Sequence, residues 1–216
     1  MELKDKNGLT EKEFIEQYRP GDYPRPSMTV DILIFAAPGL TGRLTIPDFA
    51  ERGVKILLIR RGGHPCLGRW ALPGGFVGPE ETVTQAAFRE LKEETGVEGL
   101  PLKQLYTFSM PGRDPRTWVM TCAHIALIDT GSVTLRAGDD AAEAAWFDVS
   151  IRIMKHKNQG ARYLLRLANG ETVLTALLES PEGLFTEDTC RVLDNQGLAF
   201  DHPKIILCGI KELLGL

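Results

Sequence analysis

The segment that decides the fold runs from Gly75 to Val97 and reads GFVGPEETVTQAAFRELKEETGV. It predicts a helix from about Glu81 to Thr95, since apolar side chains recur every four residues, as on the buried face of a helix. These apolar positions are Val83, Ala87 and Leu91. Gly96 follows directly, and glycine readily adopts the left-handed conformation with which many helices end.

Three carboxylates of this helix share one face. Glu90 precedes Glu93 by three residues and Glu94 by four, and these are the spacings of neighbours on a helix surface. Like charges so close repel one another unless a cation neutralises them, and an all-oxygen set of ligands favours Mg²⁺ or Mn²⁺. Arg89, four residues before Glu93, is placed to hold that carboxylate. The preceding loop, Pro73-Gly74-Gly75, lets backbone groups approach a metal ion or a phosphate.

The alternative interpretation of the same glutamates is a solvated helix face, which is the usual meaning of a pair such as Glu93-Glu94. The complete pattern argues against it, because nine positions agree with one fixed template, glycine-x5-Glu-x7-Arg-Glu-aliphatic-x-Glu-Glu-x-Gly-aliphatic. At ordinary residue frequencies a chance match in a chain of this length is on the order of 1 in 10⁷.

This template is the Nudix box, and the chain resembles the Nudix hydrolase superfamily over roughly residues 23–150. The flanking segments 57–61 and 68–77 also resemble the strand and loop that precede the box in this family. The resemblance implies an α/β/α sandwich around a mixed sheet and a Mg²⁺-dependent cleavage of diphosphate bonds. It implies metal ligands at Glu90, Glu93, Glu94 and the carbonyl of Gly75. It further implies structural support from Arg89, Glu81, Gly74 and Gly96.

The rest of the chain predicts a mixed α and β domain, with strands over about 29–36, 54–60, 117–127 and 145–148 and a final helix opening at Asp201. Thr10 and Glu13 form a capping box for a short first helix, so residues 1–22 are predicted as a helix and linker before a Nudix domain at 23–216. Asn169-Gly170 between two β-rich runs predicts a hairpin inside residues 151–200, a segment that departs from the compact family pattern. It would act as a lid, extend the sheet or make a dimer contact.

Diphosphate hydrolysis needs a general base, and family members differ in which carboxylate supplies it. The catalytic candidates are Glu90, Glu93, Arg89 and, from a later acidic stretch, Glu143. Asp139 and Asp140 compete with Glu143, and an acidic surface turn is the plain alternative for all three.

Substrate recognition is predicted around the stretch Arg113-Asp114-Pro115-Arg116, together with Arg60. Two guanidiniums three residues apart can grip phosphate or ribose oxygens, although a turn with an internal Arg–Asp pair is the plainer interpretation. This stretch resembles the ADP-ribose pyrophosphatase group, as does the segment 23–26 that leads into Val30-Asp31. The resemblance implies ADP-ribose, cut to AMP and ribose 5-phosphate. NADH, a nucleotide sugar or an oxidised nucleoside triphosphate remain alternatives.

Composition limits the other classes of partner. The net charge is −4 and no run of Lys or Arg exceeds two residues, so a nucleic-acid partner is not expected. No signal peptide or membrane span is recognisable, and Cys66, Cys122, Cys190 and Cys208 lack paired spacing, so we expect free thiols and a cytoplasmic protein. The resemblance implies a homodimer.

A non-catalytic ADP-ribose-sensing regulator is the rival to an enzyme. Nudix regulators of this kind carry a winged helix after the Nudix domain, and the 15 residues after Asp201 are too few for one. The four histidines have no partner at metal-ligand spacing and receive no catalytic role; His202 is expected to cap the last helix. Phe76, Tyr106 and Phe108 are candidates for stacking on a base, although each is more typical of a core residue.

Overall fold

The apolar run predicted as the first strand contributes side chains to both faces of a sheet. In the computed structural model it forms β1, Ser27–Ala36, where alternate side chains point to opposite sides. Ile32 and Ile34 pack with Ala87 and Leu91 of the box helix, while Leu33 packs on the other side in a second, larger core. Helices therefore cover both faces of the strand, as an α/β/α sandwich requires.

The structure describes residues 2–39, 44–129, 141–156, 160–170 and 172–215. The other strands are β2 (Lys55–Arg61), β3 (Trp70–Ala71), β4 (Lys103–Phe108), β5 (Val119–Ile128), β6 (Ala141–His156), β7 (Gly160–Asn169), β8 (Thr172–Ser180) and β9 (Arg191–Gln196). The α-helices are α1 (Glu11–Gln17), α2 (Ile46–Glu51), α3 (Val83–Thr95) and α4 (His202–Leu214). Short 3-10 turns lie at Pro20–Asp22 and Glu187–Thr189.

All nine strands of the described chain join one mixed sheet. Its order is β4-β5-β1-β2-β6-β7-β8-β9, with β3 paired to β2. The pairing of β1 with β5 is parallel and the other named pairs are antiparallel. The predicted mixed α and β fold is confirmed, and no helix of the described chain is long and apolar enough to cross a membrane.

The segment 151–200 extends the sheet, which was one of the three roles open to it. Asn169-Gly170 turns β7 into β8, as predicted, with Gly170 in the left-handed region at a φ of 56°. The predicted strand at 145–148 belongs to the longer β6, which pairs antiparallel with β7 of this hairpin. After β9 the chain returns to the centre of the fold, where Ala199 donates a backbone hydrogen bond to Trp70.

Candidate active site

A polar cavity of about 410 Å³ opens beside β1, the glycine loop and the box helix α3. Its acidic side chains are Asp31, Glu90, Glu94 and Asp114, and its cationic side chains are Arg61, Arg113 and Arg116. Phe76 and Phe200 add two aromatic rings. Acidic, cationic and aromatic groups in one cavity suit a ligand that carries a metal-bound phosphate and a flat ring.

Helix α3 is positioned as the sequence predicts. Thr82 caps its first turn and Gly96 ends it with a φ of 72°. Ala87 and Leu91 are buried against the sheet and Val83 packs beside them. Glu90 and Glu94 lie next to this apolar stripe and are partly buried, whereas Glu93 is exposed. The predicted helix and its left-handed end are confirmed.

Glu90 and Glu94 face the glycine loop. The backbone N–H of Gly74 donates to Glu94 Oε2 at 2.7 Å. The Glu90 carboxylate fills the space where a side chain on Gly75 would lie, so any larger residue would displace this carboxylate. Gly74 has its own constraint, because a Cβ on it would overlap the carbonyl of Val30. These contacts explain two adjacent glycines in the loop.

Arg89 ties the loop to the helix. Its guanidinium donates to Glu81 at 2.6 and 3.1 Å, to Glu90 Oε1 at 2.8 Å and to Glu93 Oε2 at 3.0 Å. It also donates to the carbonyl of Phe76 at 3.0 Å. The hydrogen bonds from Arg89 hold the pKa of the Glu81 carboxyl down at about 2. The arrangement agrees with the support that the resemblance implies for Arg89 and Glu81.

Buried carboxylates at this site favour a cation. Burial raises the pKa of Glu94 to about 8, with a further rise from the charges of Glu90 and Asp31 and an opposing effect of the Gly74 amide. Burial also raises the pKa of Glu90, although Arg89 opposes it. A divalent cation between two such carboxylates would favour their charged forms.

The donor set fits a hard divalent ion but is not arranged around one in advance. Among the described residues, no three acidic, histidine or cysteine side chains form a metal-binding group. Glu93 is the most exposed of the three box glutamates and its carboxylate is turned to Arg89. The Gly75 carbonyl accepts from the N–H of Val30 at 2.9 Å, which leaves one of its two lone pairs for a metal.

The arginine stretch combines the two interpretations that the sequence allowed. Arg116 forms the internal pair with Asp114, at 2.7 to 3.2 Å, and its side chain is 40% exposed at the cavity. Arg113 is only 6% exposed. It donates twice to Asp201, at 2.8 and 3.0 Å, and lies 3.7 Å from Asp31. Arg116 is therefore the more available guanidinium for a ligand.

The structure places Arg60 and Glu143 together, away from the cavity lining. They are paired across β2 and β6, and Arg60 Nη1 lies 4.0 Å from Glu143 Oε2 with both side chains about half exposed. Because side chains alternate along a strand, Arg61 is the arginine of β2 that lines the cavity. Asp139 and Asp140 lie outside the described residues.

Sequence reasoning missed four cavity residues: Asp31, Arg61, Phe200 and His202. His202 begins α4 as expected, but its Nδ1 accepts from the N–H of Leu72 at 2.9 Å, which places the ring proton on Nε2. That nitrogen faces Asp31 Oδ1 at 3.4 Å. Burial lowers the pKa of His202, so the ring is neutral in this position. A charged residue inside an apolar strand, Asp31 between Val30 and Ile32, was the available signal.

Two of the three aromatic candidates are core residues. Phe108 is fully buried and Tyr106 packs on it, with ring centres 5.0 Å apart. Phe76 is exposed at the cavity, and the Arg116 guanidinium lies 5.1 Å from its ring centre. Phe200 lies 5.9 Å from the same guanidinium and 5.0 Å from that of Arg61. Phe76 and Phe200 are the rings available to a ligand.

Comparison with known proteins decides the family. The model of the NUDIX domain matches residues 41–167, more than half of the chain. The chain belongs to the Nudix family. The predicted resemblance is confirmed, and hydrolases of this family generally use a divalent metal ion.

Three similar proteins show the range of the family. An ADP-ribose pyrophosphatase from Methanocaldococcus jannaschii is 44% identical over 107 residues, 50% of this chain and 62% of that protein. An ADPR-responsive transcriptional repressor from Acinetobacter baylyi is 39% identical over 125 residues, 57% of this chain and 45% of that protein. The chain thus spans about half the length of these relatives. A crystal structure of a MutT/nudix family protein from Enterococcus faecalis has a TM-score of 0.65 and 33% identity, covering 96% of this chain and 75% of that one.

The buried Glu94 carboxyl predicts a pH-dependent stability. In the metal-free Nudix protein its pKa is about 8, against 4.5 for an ordinary glutamate. As the pH rises, the unfolded chain therefore loses this proton at a lower pH than the folded protein does. The protonated form stabilises the fold fully below about pH 4.5, and that contribution is lost as the pH rises through 8. Glu94→Gln does not ionise, so its Tm advantage over the wild type in EDTA should grow by about 5 °C between pH 5 and pH 8.

Calorimetric or fluorescence melts of both proteins would check this. Added Mg²⁺ should shrink the difference at pH 8, because a cation favours the charged carboxylate of the wild type. A Tm difference independent of pH would contradict the burial of an ionisable Glu94.

Proposed function

We propose that this Nudix protein hydrolyses the diphosphate bond of a nucleoside diphosphate derivative, with ADP-ribose as the substrate and AMP and ribose 5-phosphate as the products. The observation that carries the proposal is one cavity that holds Glu90 and Glu94 of the complete Nudix box together with Arg116 and the rings of Phe76 and Phe200. The similarity to an ADP-ribose pyrophosphatase supports this choice of substrate.

The box residues would hold the metal ion, which we propose to be Mg²⁺. Glu90 and Glu94 supply buried carboxylate oxygens, Gly75 a backbone carbonyl, and Glu93 a third carboxylate after it turns from Arg89. Mg²⁺ held by these residues would neutralise phosphate oxygens and lower the pKa of a coordinated water. Glycines 74 and 75 keep the loop backbone close to the helix, so phosphates bound at this loop would lie near the carboxylates.

The other cavity residues would bind and orient the substrate. The exposed guanidinium of Arg116 offers donors to a phosphate, and Asp114 fixes its direction. Arg61 adds positive charge from β2. Phe76 and Phe200 offer ring faces to a purine. The general base remains a proposal among Glu90, Glu93 and Glu143, of which Glu143 would have to act from outside the cavity lining.

A sensor of ADP-ribose is the second candidate function. The observation that favours it is the similarity to an ADPR-responsive transcriptional repressor, at 39% identity over 125 residues. The same cavity would then bind ADP-ribose without cleaving it. The intact box, with Glu90, Glu93 and Glu94 all present, favours catalysis over sensing.

Incubation of the protein with ADP-ribose and Mg²⁺, followed by chromatography, tests the proposal. We expect AMP and ribose 5-phosphate in equal amounts, with one water consumed per molecule and with activity abolished by EDTA. If ADP-ribose stays intact, a panel of NADH, a nucleotide sugar and an oxidised nucleoside triphosphate identifies another Nudix substrate. Calorimetric binding of ADP-ribose with no turnover of any compound, together with DNA retention, would replace the enzyme with the sensor.

A further inference from the structure

A buried carboxylate outside the cavity holds the loop that carries the arginines. Glu187 lies in the short turn Glu187–Thr189 between β8 and β9 and is only 5% exposed. Its carboxylate accepts from the backbone N–H of Ser109 at 2.7 Å and from that of Met110 at 2.9 Å. Two amide donors to one buried charge are strong hydrogen bonds and satisfy a group that would otherwise be costly to bury.

The turn itself is docked on the sheet. The backbone N–H of Glu187 donates to the hydroxyl of Tyr106 at 3.4 Å. Phe185, just before the turn, is buried and packs on Tyr106 and Phe108, with ring centres 5.6 and 5.8 Å apart. The carboxylate therefore reaches the loop from a fixed position.

The loop after β4 is fastened at two points by the C-terminal segment. Glu187 binds its first two amides, and Asp201 binds the buried guanidinium of Arg113. Between these points and β5 lies Arg116, the exposed guanidinium of the cavity. The extension of the sheet thus reaches back to the site through Glu187.

We propose that Glu187 is a positioning residue for the substrate, which acts by holding the loop Ser109–Arg116 so that Arg116 faces the cavity. This inference rests on the proposed function, because it assigns Arg116 to the phosphates of the substrate. Glu187 does not touch the cavity itself and takes no part in proton transfer.

Glu187→Ala and Glu187→Gln test the proposal, with Asp188→Ala as the matched control, since Asp188 is the exposed acid next in the same turn. Glutamine keeps the reach of the side chain but offers one acceptor oxygen instead of two. We expect KM for ADP-ribose to rise about tenfold in the alanine variant and less in the glutamine variant, with kcat within about twofold of the wild type. Asp188→Ala should leave both constants unchanged.

A double variant shows whether the effect passes through Arg116. Arg116→Ala alone should raise KM, and adding Glu187→Ala to it should raise KM by no more than about twofold further. Independent effects that multiply fully would overturn the proposal. So would a parallel fall in kcat and in Tm without a change in KM, because that result indicates a purely structural role.

Hydrogen exchange of the amides of residues 109–116 provides a readout that needs no substrate. We expect faster exchange confined to this loop in the alanine variant, intermediate exchange in the glutamine variant and no change in the control. Unchanged exchange in both variants overturns the positioning role even if the protein hydrolyses ADP-ribose. A different result is faster exchange in the alanine variant together with a wild type that neither hydrolyses nor binds ADP-ribose. It would show that Glu187 anchors the loop, but it would reject both the proposed substrate and the role assigned to Arg116. If the alanine variant does not fold, the glutamine variant carries the same comparisons.

Discussion

Glu94→Gln and Glu90→Gln are each expected to lower kcat for ADP-ribose by about 10³-fold while the protein stays folded. Both carboxylates line the cavity beside the glycine loop, and both are partly or largely removed from water. Glutamine has nearly the same shape but no charge, so the variant loses the attraction for a divalent cation without losing packing. Steady-state hydrolysis measures the effect, at the lowest Mg²⁺ concentration that saturates the wild-type protein.

Glu98→Gln is the matched control for these variants. Glu98 lies just after α3, is exposed, and pairs with Lys92 at 3.1 Å on the surface. Its replacement should change kcat by less than about twofold, since exposed ion pairs contribute little. A loss of less than tenfold for both Glu90→Gln and Glu94→Gln would contradict the assignment of these side chains to the metal.

Raising the Mg²⁺ concentration distinguishes a binding defect from a lost chemical role. If the variants recover at high Mg²⁺, the carboxylates serve mainly to bind the ion. If kcat stays low at every concentration, they also place the ion relative to the phosphate. Either result keeps the metal at this face of α3.

The parts of the site that the sequence predicts well are those formed by residues that are close to one another in the chain. The box helix, its end at Gly96 and the bonds from Arg89 all lie within one segment of about 20 residues. Helical spacing alone brings these side chains together, so no knowledge of the sheet is needed. The same holds for the Asn169-Gly170 turn, whose geometry follows from two residues.

The elements that sequence reasoning missed have weak local patterns. Helix α2 lies between glycines and contains Pro47 in its first turn, a combination that indicates a loop. Strand β9 is largely exposed and polar, RVLDNQ, because it lies at the edge of the sheet. Strand β4 was also not predicted, although it pairs with β5 along most of its length. Edge strands bury few side chains, so alternation along them carries little signal.

The remaining cavity residues come together only in three dimensions. Asp31 lies on β1 and Arg61 on β2, whereas Phe200 and His202, at the start of α4, follow them by more than 100 residues in sequence. Arg60 and Arg61 are adjacent, and the register of β2 against β6 decides which one faces the cavity. A shift of one residue would exchange them, and composition cannot fix such a register.

Arg113→Met is expected to destabilise the protein by about 3–5 kcal/mol, the cost of breaking a buried ion pair. The guanidinium, 6% exposed, is hydrogen-bonded to Asp201 and lies near Asp31, both of which are nearly buried. Methionine has a similar length but no charge, so two carboxylates would remain close together without their cation. Urea unfolding monitored by tryptophan fluorescence measures the change, and Arg116→Met provides the exposed control.

The double variant Arg113→Met/Asp201→Asn separates this charge effect from loss of packing. Asparagine removes one unpaired charge, so the double variant should regain about half of the lost stability. No recovery would mean that the shape of the guanidinium, rather than its charge, holds β1 and α4 together. A cost below about 1 kcal/mol for Arg113→Met alone would show that Asp31 and Asp201 are hydrated. Arg113 would then be free to bind substrate directly, as the sequence analysis predicted. A large loss of stability would instead show that Arg113 joins β1, the loop Ser109–Arg116 and α4 around the cavity.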